Sequence, residues 1–181
     1  MDPDRTLLSP QLQLRCNSGS LLPMTAPPIV RRSPVAARHC NLARGFELIG
    51  DRWTLLILRS ALYGVRRFDD LQADLDIPRS VLSNRLAGLV ESGIMAKRKY
   101  REKGHRTRIE YPLTKMGTSL GLPFFAMTEW GDKWIGDGGS PYMLRSTANG
   151  QRLRVALVDE RGRRVKASEI EIVIDPKFRR S

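Results

Sequence analysis

Cysteine and histidine are scarce: Cys16, Cys40, His39 and His105 are the only ones in 181 residues. Two cysteines make no disulfide scaffold, and neither residue type falls at the paired spacing of a zinc site, so no structural metal is expected. No Ser/His/Asp series, paired-carboxylate signature or nucleotide-binding glycine loop accompanies the histidines, and the chain reads as a non-enzyme without a cofactor. Thiol peroxidase-like turnover at Cys40 is the one handle for an enzymatic reading. Long apolar runs are also missing. Arg59 and Arg66 interrupt the region around Leu55 to Leu58, well short of the roughly 18 to 20 residues a membrane span needs. At the N-terminus Asp2, Asp4, Pro10, Gln11 and Gln13 make a poor signal peptide, and a cytoplasmic address is expected.

What the chain does have is positive charge. Lys and Arg number 31 against 19 Asp and Glu, a net charge of +12, and the isoelectric point is about 10.5. Acidic partners such as nucleic acid are favoured, although charge alone does not separate DNA from RNA or an anionic membrane. A hydrophobic content of 41% fits one globular core.

Three regions are expected. Residues 1–38 carry Pro3, Pro10, Pro23, Pro27, Pro28 and Pro34, which leave no helical period and predict a disordered arm. Its Arg31, Arg32 and Arg38 trail along phosphates, or belong to a solvated tail, or the start of the chain is assigned too early, ahead of Met24. Residues 39–136 hold the helical pattern of a main domain, and 137–181 read as a β-rich extension.

In the main domain Leu42, Phe46 and Ile49 form one apolar stripe ending at Gly50, a short first helix. Asp51 precedes Trp53 to Leu58, apolar on nearly every side, which predicts a buried helix stopping at Gly64. Phe68, Leu71 and Leu75 give a third helix, and Asp76-Ile77-Pro78 a tight turn. The next helix, over 78–92, turns Val81, Leu82, Leu86, Leu89 and Val90 inward and stops at Gly93. Two short helices about a tight turn make a helix-turn-helix. Ile94 to Arg101 and Thr107 to Leu113 predict a hairpin, the wing. Thr114 then caps a last helix with Met116, Leu120, Phe124, Met127 and Trp134 on one stripe, which Pro123 should kink. The tail alternates Leu153, Val155, Leu157 and later Ile170, Ile172, Ile174, a pattern that predicts a small terminal β-meander. The fold class is therefore α+β, mainly α: a winged helix-turn-helix with a long C-terminal helix and that meander.

Double-stranded DNA is the partner these elements fit. At about 100° per residue, Ser80, Ser83, Asn84 and Ala87 lie opposite the apolar side of the fourth helix. A small, hydrogen-bonding surface enters a major groove without steric conflict, and Asn pairs with both N6 and N7 of adenine. Arg79 reaches guanine or phosphate, and Arg85 joins the same set. The wing, over 97–108, carries Lys97, Arg98, Lys99, Arg101, Lys103, Arg106 and Arg108 against the single acid Glu102. Mutual repulsion of that density calls for a polyanion; a basic hairpin by itself is also what a solvated face carries, and its place directly after a helix-turn-helix is what points to DNA. The tip residues Lys103, His105 and Arg106 are best placed to touch backbone or minor groove.

These residues resemble the HxlR-type family of winged helix-turn-helix transcriptional regulators, from Cys40 to about Gly131. The likeness rests on an ordered series: Cys40, Gly50-Asp51-Arg52-Trp53, Gly64-Val65-Arg66-Arg67-Phe68, Leu82-Ser83-Asn84-Arg85-Leu86, Leu89 through Gly93, Arg98, Glu110-Tyr111-Pro112-Leu113-Thr114, Gly117 and Trp130-Gly131. The resemblance implies a homodimer built through terminal helices, with the long C-terminal helix as the dimerisation helix, and bound to an inverted-repeat operator, with repression the expected sign. Met116, Leu120, Phe124, Met127, Trp130 and Trp134 agree with it, since Met and aromatic residues are enriched at interface centres; packing within one chain is the other reading of the same stripe. Cys40 matches a position that senses oxidants or electrophiles in some relatives, and Arg38, His39, Arg44 and a helix start are suited to favouring its thiolate. Cysteine is also a common small buried hydrophobe, and Asn41 stands where many relatives have proline. An alternative from another class is a winged-helix adaptor or RNA-binding interaction protein. The tail either covers the dimer core, receives a small ligand or pads the domain.

Overall fold

The computed structural model describes residues 33, 35–104, 106–136 and 141–178. Most of the expected arm, Cys16 and His105 lie outside them. Two compact units are present, Leu42–Val155 and a second made of the described residues up to Asn41 with those from Ala156 on.

The larger unit follows the predicted order of elements. Helix α1 spans Asn41–Ile49, α2 Arg52–Leu62, α3 Phe68–Leu75 and α4 Arg79–Glu91; strands β1 (Arg98–Tyr100) and β2 (Arg108–Glu110) follow, then α5 (Lys115–Ser119) and α6 (Gly121–Trp134). The fold is α+β, mainly α, with a winged helix-turn-helix. Its core gathers Ile57 and Leu58 of α2, Leu71 of α3, Leu82, Leu86 and Leu89 of α4, and Ile77, Ile94 and Met95 between elements. Complete burial of such side chains is worth roughly 1.5–3 kcal/mol each against exposure, and three of them hold α4 to the core.

Local chemistry explains where the helices start and stop. Asp51 caps α2, accepting from the amides of Trp53 (3.1 Å) and Thr54 (3.2 Å) and from the Thr54 hydroxyl, which satisfies donors with no intrahelical partner. Gly93 takes φ of +74° after α4, the left-handed stop expected there. Between α3 and α4, Asp76 makes the turn at φ of +48°. The Ser60 hydroxyl of α2, fully buried, donates to Asp74 of α3 at 2.5 Å, so the two helices are tied by a satisfied polar group as well as by packing.

Three expectations need correction. The last helix does not run through Pro123 with a kink. It breaks at Leu120, and Pro123 sits in the first turn of α6. Proline offers no N–H to Ser119 and its ring crowds that carbonyl, so the disturbance falls four residues upstream. The wing strands are shorter than predicted, though a bridge between Met95 and Leu113 and the bond from Ala96 N to Pro112 O (3.0 Å) continue the pairing to its base. The terminal β-meander is replaced, among the described residues, by isolated bridges Arg145↔Arg152 and Val158↔Arg164 and by single 3-10 turns. Leu153, Leu157, Val158, Ile172 and Val173 stay exposed. Alternation fixes strand register only where one face is buried.

Among the described residues no helix is long and apolar enough to cross a membrane.

Candidate nucleic-acid interface

Helix α4 presents two unlike sides. Leu82, Leu86 and Leu89 are buried, whereas Arg79, Ser80, Ser83, Asn84 and Ala87 are exposed. The apolar side fixes the helix to the core, so the hydroxyls and the carboxamide stand on a rigid support, as base-edge recognition requires.

Arg85 is exposed but engaged. Its Nε lies 3.0 Å from the Asp51 Oδ1 that caps α2. Partial burial pushes the Asp51 carboxyl up, yet the Thr54 hydroxyl and amide, the Arg85 guanidinium and the Trp53 amide together hold it below the usual aspartate range. The pair braces α4 against the start of α2.

The wing is a two-stranded antiparallel ladder in which Arg98 faces Glu110, Lys99 faces Ile109 and Tyr100 faces Arg108. Side chains alternate across it, which sorts the basic residues. Arg98 pairs with Glu110 at 2.5 Å and Arg67 with Glu102 at 2.5 Å, while Arg67 also lies over the Tyr100 ring at 4.7 Å. Lys97, Lys99, Lys103 and Arg106 are exposed and form no ion pair among the described residues. Arg101 is exposed as well. Gly104, at φ of +83°, makes the tip turn. At its base the wing is fastened by the bond from Tyr111 N to Arg66 O (2.7 Å) and a bridge between Arg67 and Glu110.

Between the wing and the starts of α3 and α4 lies an open cleft of about 400 Å3, lined by Arg67, Asp69, Arg79, Arg106 and Arg108 with Phe68 and Tyr100. Asp69 sits between two of those cations, 4.0 Å from Arg79 Nη1 and 3.6 Å from Arg108 Nη1. Arg79 also lies over the Phe68 ring at 4.8 Å. With Arg67 committed to Glu102, the guanidinium groups of Arg79, Arg106 and Arg108 against the Asp69 carboxylate leave a positive surface beside the exposed side of α4, suited to a phosphate backbone. Sequence reasoning missed Arg67, Phe68 and Tyr100 here. The Arg66-Arg67 pair before Phe68 was the available signal, but its nearness to the wing is tertiary.

The apolar stripe of the last two helices divides. Leu120 and Phe124 pack against the core. Met116 is 50% exposed, Met127 57%, Trp130 58% and Trp134 66%, and on α1 Leu42 and Phe46 are exposed too. Cys40 is a half-buried free thiol at the end of a 3-10 turn, Ala37–His39.

Comparison with known proteins converges on one family. Its model, described as HxlR-like helix-turn-helix, matches residues 48–138. The uncharacterized HTH-type transcriptional regulator Rv3095 of Mycobacterium tuberculosis is 40% identical over 119 residues, which is 65% of this chain and 74% of that protein. The HTH-type transcriptional regulator YodB of Bacillus subtilis is 30% identical over 99 residues, 54% of this chain and 87% of YodB. Among solved structures, the candidate transcription factor PA1607 aligns with a TM-score of 0.65 at 29% identity, over 76% of this chain and 96% of that one.

Proposed function

This chain belongs to the HxlR-like helix-turn-helix family and is a transcriptional regulator with a helix-turn-helix DNA-binding domain, and from that premise we propose that it acts as a homodimeric repressor on an inverted-repeat operator. The observation that carries the reading is the exposed Ser80, Ser83 and Asn84 side of α4 set beside the arginine-lined cleft and basic wing. In this reading Ser83 and Asn84 read base edges in the major groove, Arg79 spans base and phosphate, and Arg106 and Arg108 hold the backbone at the cleft. Lys99, Arg101, Lys103 and His105 meet phosphate or minor groove along the wing. Arg98 and Arg85 position their elements through Glu110 and Asp51.

The exposed Met116, Met127, Trp130 and Trp134 support self-association through α5 and α6. A two-fold dimer presents its recognition helices about 34 Å apart, one turn of DNA, which calls for a pseudo-palindrome.

Fluorescence anisotropy against the DNA upstream of its own gene, against a genome-derived fragment library and against scrambled duplex tests the reading. Selective binding to a native sequence that Asn84→Ala abolishes is the expected result. A dimer making about 6 to 10 phosphate contacts loses roughly a thousandfold or more in affinity from about 50 to 200 mM salt. Failure to bind any duplex at low salt overturns the reading.

Cys40 adds a regulatory element to the proposal: a thiol that responds to an oxidant or electrophile. Its partial exposure supports access by a small reagent. Treatment with diamide should release operator DNA from the native protein and not from Cys40→Ser; equal release from both removes Cys40 from the mechanism.

A further inference from the structure

Within the Leu42–Val155 unit, the end of α2, one side of α6 and the segment following α6 enclose a second cavity, of about 310 Å3. It lies within the size range of small-molecule sites, about 300–1,000 Å3. Leu62, Phe125, Met143, Leu144 and Leu153 make most of its wall. The segment after α6 is fastened over it by two means. Tyr142 packs against Tyr63 with ring centroids 5.2 Å apart, and the Arg59 guanidinium lies 5.0 Å over the Tyr63 ring. Farther along, Val155 N donates to Glu129 Oε1 at 3.1 Å, and Leu153 N to Leu144 O at 2.8 Å.

Into this apolar space α6 turns two carboxylates one helical turn apart, Glu129 and Asp132, both half-buried. Neither is in an ion pair among the described residues. A carboxylate held partly away from water beside an apolar wall is stabilised by a positive partner, and in a chain with a net charge of +12 such partners are abundant. Among the described residues of the lining the one cation is Arg152, exposed, while Arg59 lies over the Tyr63 ring.

We propose that this cavity binds a compact organic cation, its apolar body against Leu62, Phe125 and Leu153 and its basic nitrogen between Glu129 and Asp132. The site shares no residue with the DNA-facing cleft, and the inference stands whether or not the operator reading does.

Three isosteric probes test it on the full chain at neutral pH: 1-naphthylmethylamine as cation, 1-naphthalenemethanol as neutral body and 1-naphthoate as anion, each followed by isothermal titration calorimetry. The amine should bind at least tenfold tighter than the alcohol, and naphthoate weakest of all. The overall positive field works against that order, so a preference for the cation reports the local carboxylates. Glu129→Gln combined with Asp132→Asn should bring the amine down to the alcohol and leave the alcohol unchanged; glutamine keeps an oxygen for the Val155 amide. Arg152→Ala, at an exposed position, should tighten the amine alone and serves if the double variant does not fold. Naphthoate binding as tightly as the amine, an amine affinity indifferent to both variants, or no amine binding at millimolar concentration overturns the proposal.

Discussion

Asp51 shows how much one side chain carries. It caps α2 and pairs with Arg85 of α4, so Asp51→Ala should cost about 1–2 kcal/mol in denaturant unfolding and loosen the DNA-facing helix. Its carboxyl titrates lower in the folded chain than in the unfolded one. The stability it contributes is therefore complete above the unfolded value of about 4 and is lost as pH falls through the folded value. The native protein should lose stability over that acid window, and Asp51→Asn should lose less of it there. Gly117 is a second test at this scale. A Cβ there would meet Ile94 O at 2.2 Å and Leu113 Cδ2 at 2.9 Å, so Gly117→Ala should destabilise by roughly 1–3 kcal/mol, as overpacking does; a thermal midpoint equal to that of the native protein contradicts this. Sequence reading placed Arg85 with the DNA contacts of the fourth helix and had no signal for its ion pair with Asp51. Its partner lies 34 positions upstream, and only folding brings them together.

At the scale of elements, periodicity located α1 to α4 well; α2, α3 and α4 each bury one side in the core, whereas α1 leaves Leu42 and Phe46 of its stripe exposed. It located the wing by its base and tip but overstated the strands. The strong disagreement was with the last helix and the tail. Proline's effect reaches the carbonyl of Ser119, so the break lies before it, and alternation without a buried face gave turns instead of a meander. The wing also separates its cations in a testable way. If Lys99 and Arg106, in no ion pair among the described residues, touch phosphate in each half-site, then Lys99→Ala or Arg106→Ala should each lower the slope of log affinity against log salt by about 2 for the dimer, one contact per protomer. Arg98→Ala should lower it less, since that guanidinium is already committed to Glu110. Equal slopes for all three variants would show that the wing is not sorted this way.

At the scale of the whole molecule the proposed dimer is the main issue. Met127, Trp130 and Trp134 are more than half exposed on one α6 stripe, an arrangement that a second copy of the chain would cover. Sedimentation should give twice the chain mass for the native protein and the single mass for Trp130→Glu with Trp134→Glu. The monomeric variant should also bind a palindromic site far more weakly than the native dimer, as loss of a linked second half-site demands. What the sequence by itself determined is the order of the helices, the polar side of α4, the density of positive charge on the wing and the likeness to one family, because periodicity, capping and charge are local properties. What the tertiary structure decided is which of those charges are already neutralised, that Arg67, Phe68 and Tyr100 join the cleft, and that Glu129 and Asp132 face an apolar cavity. Those depend on residues distant in the chain arriving within a few ångströms of each other, and no local pattern encodes that distance.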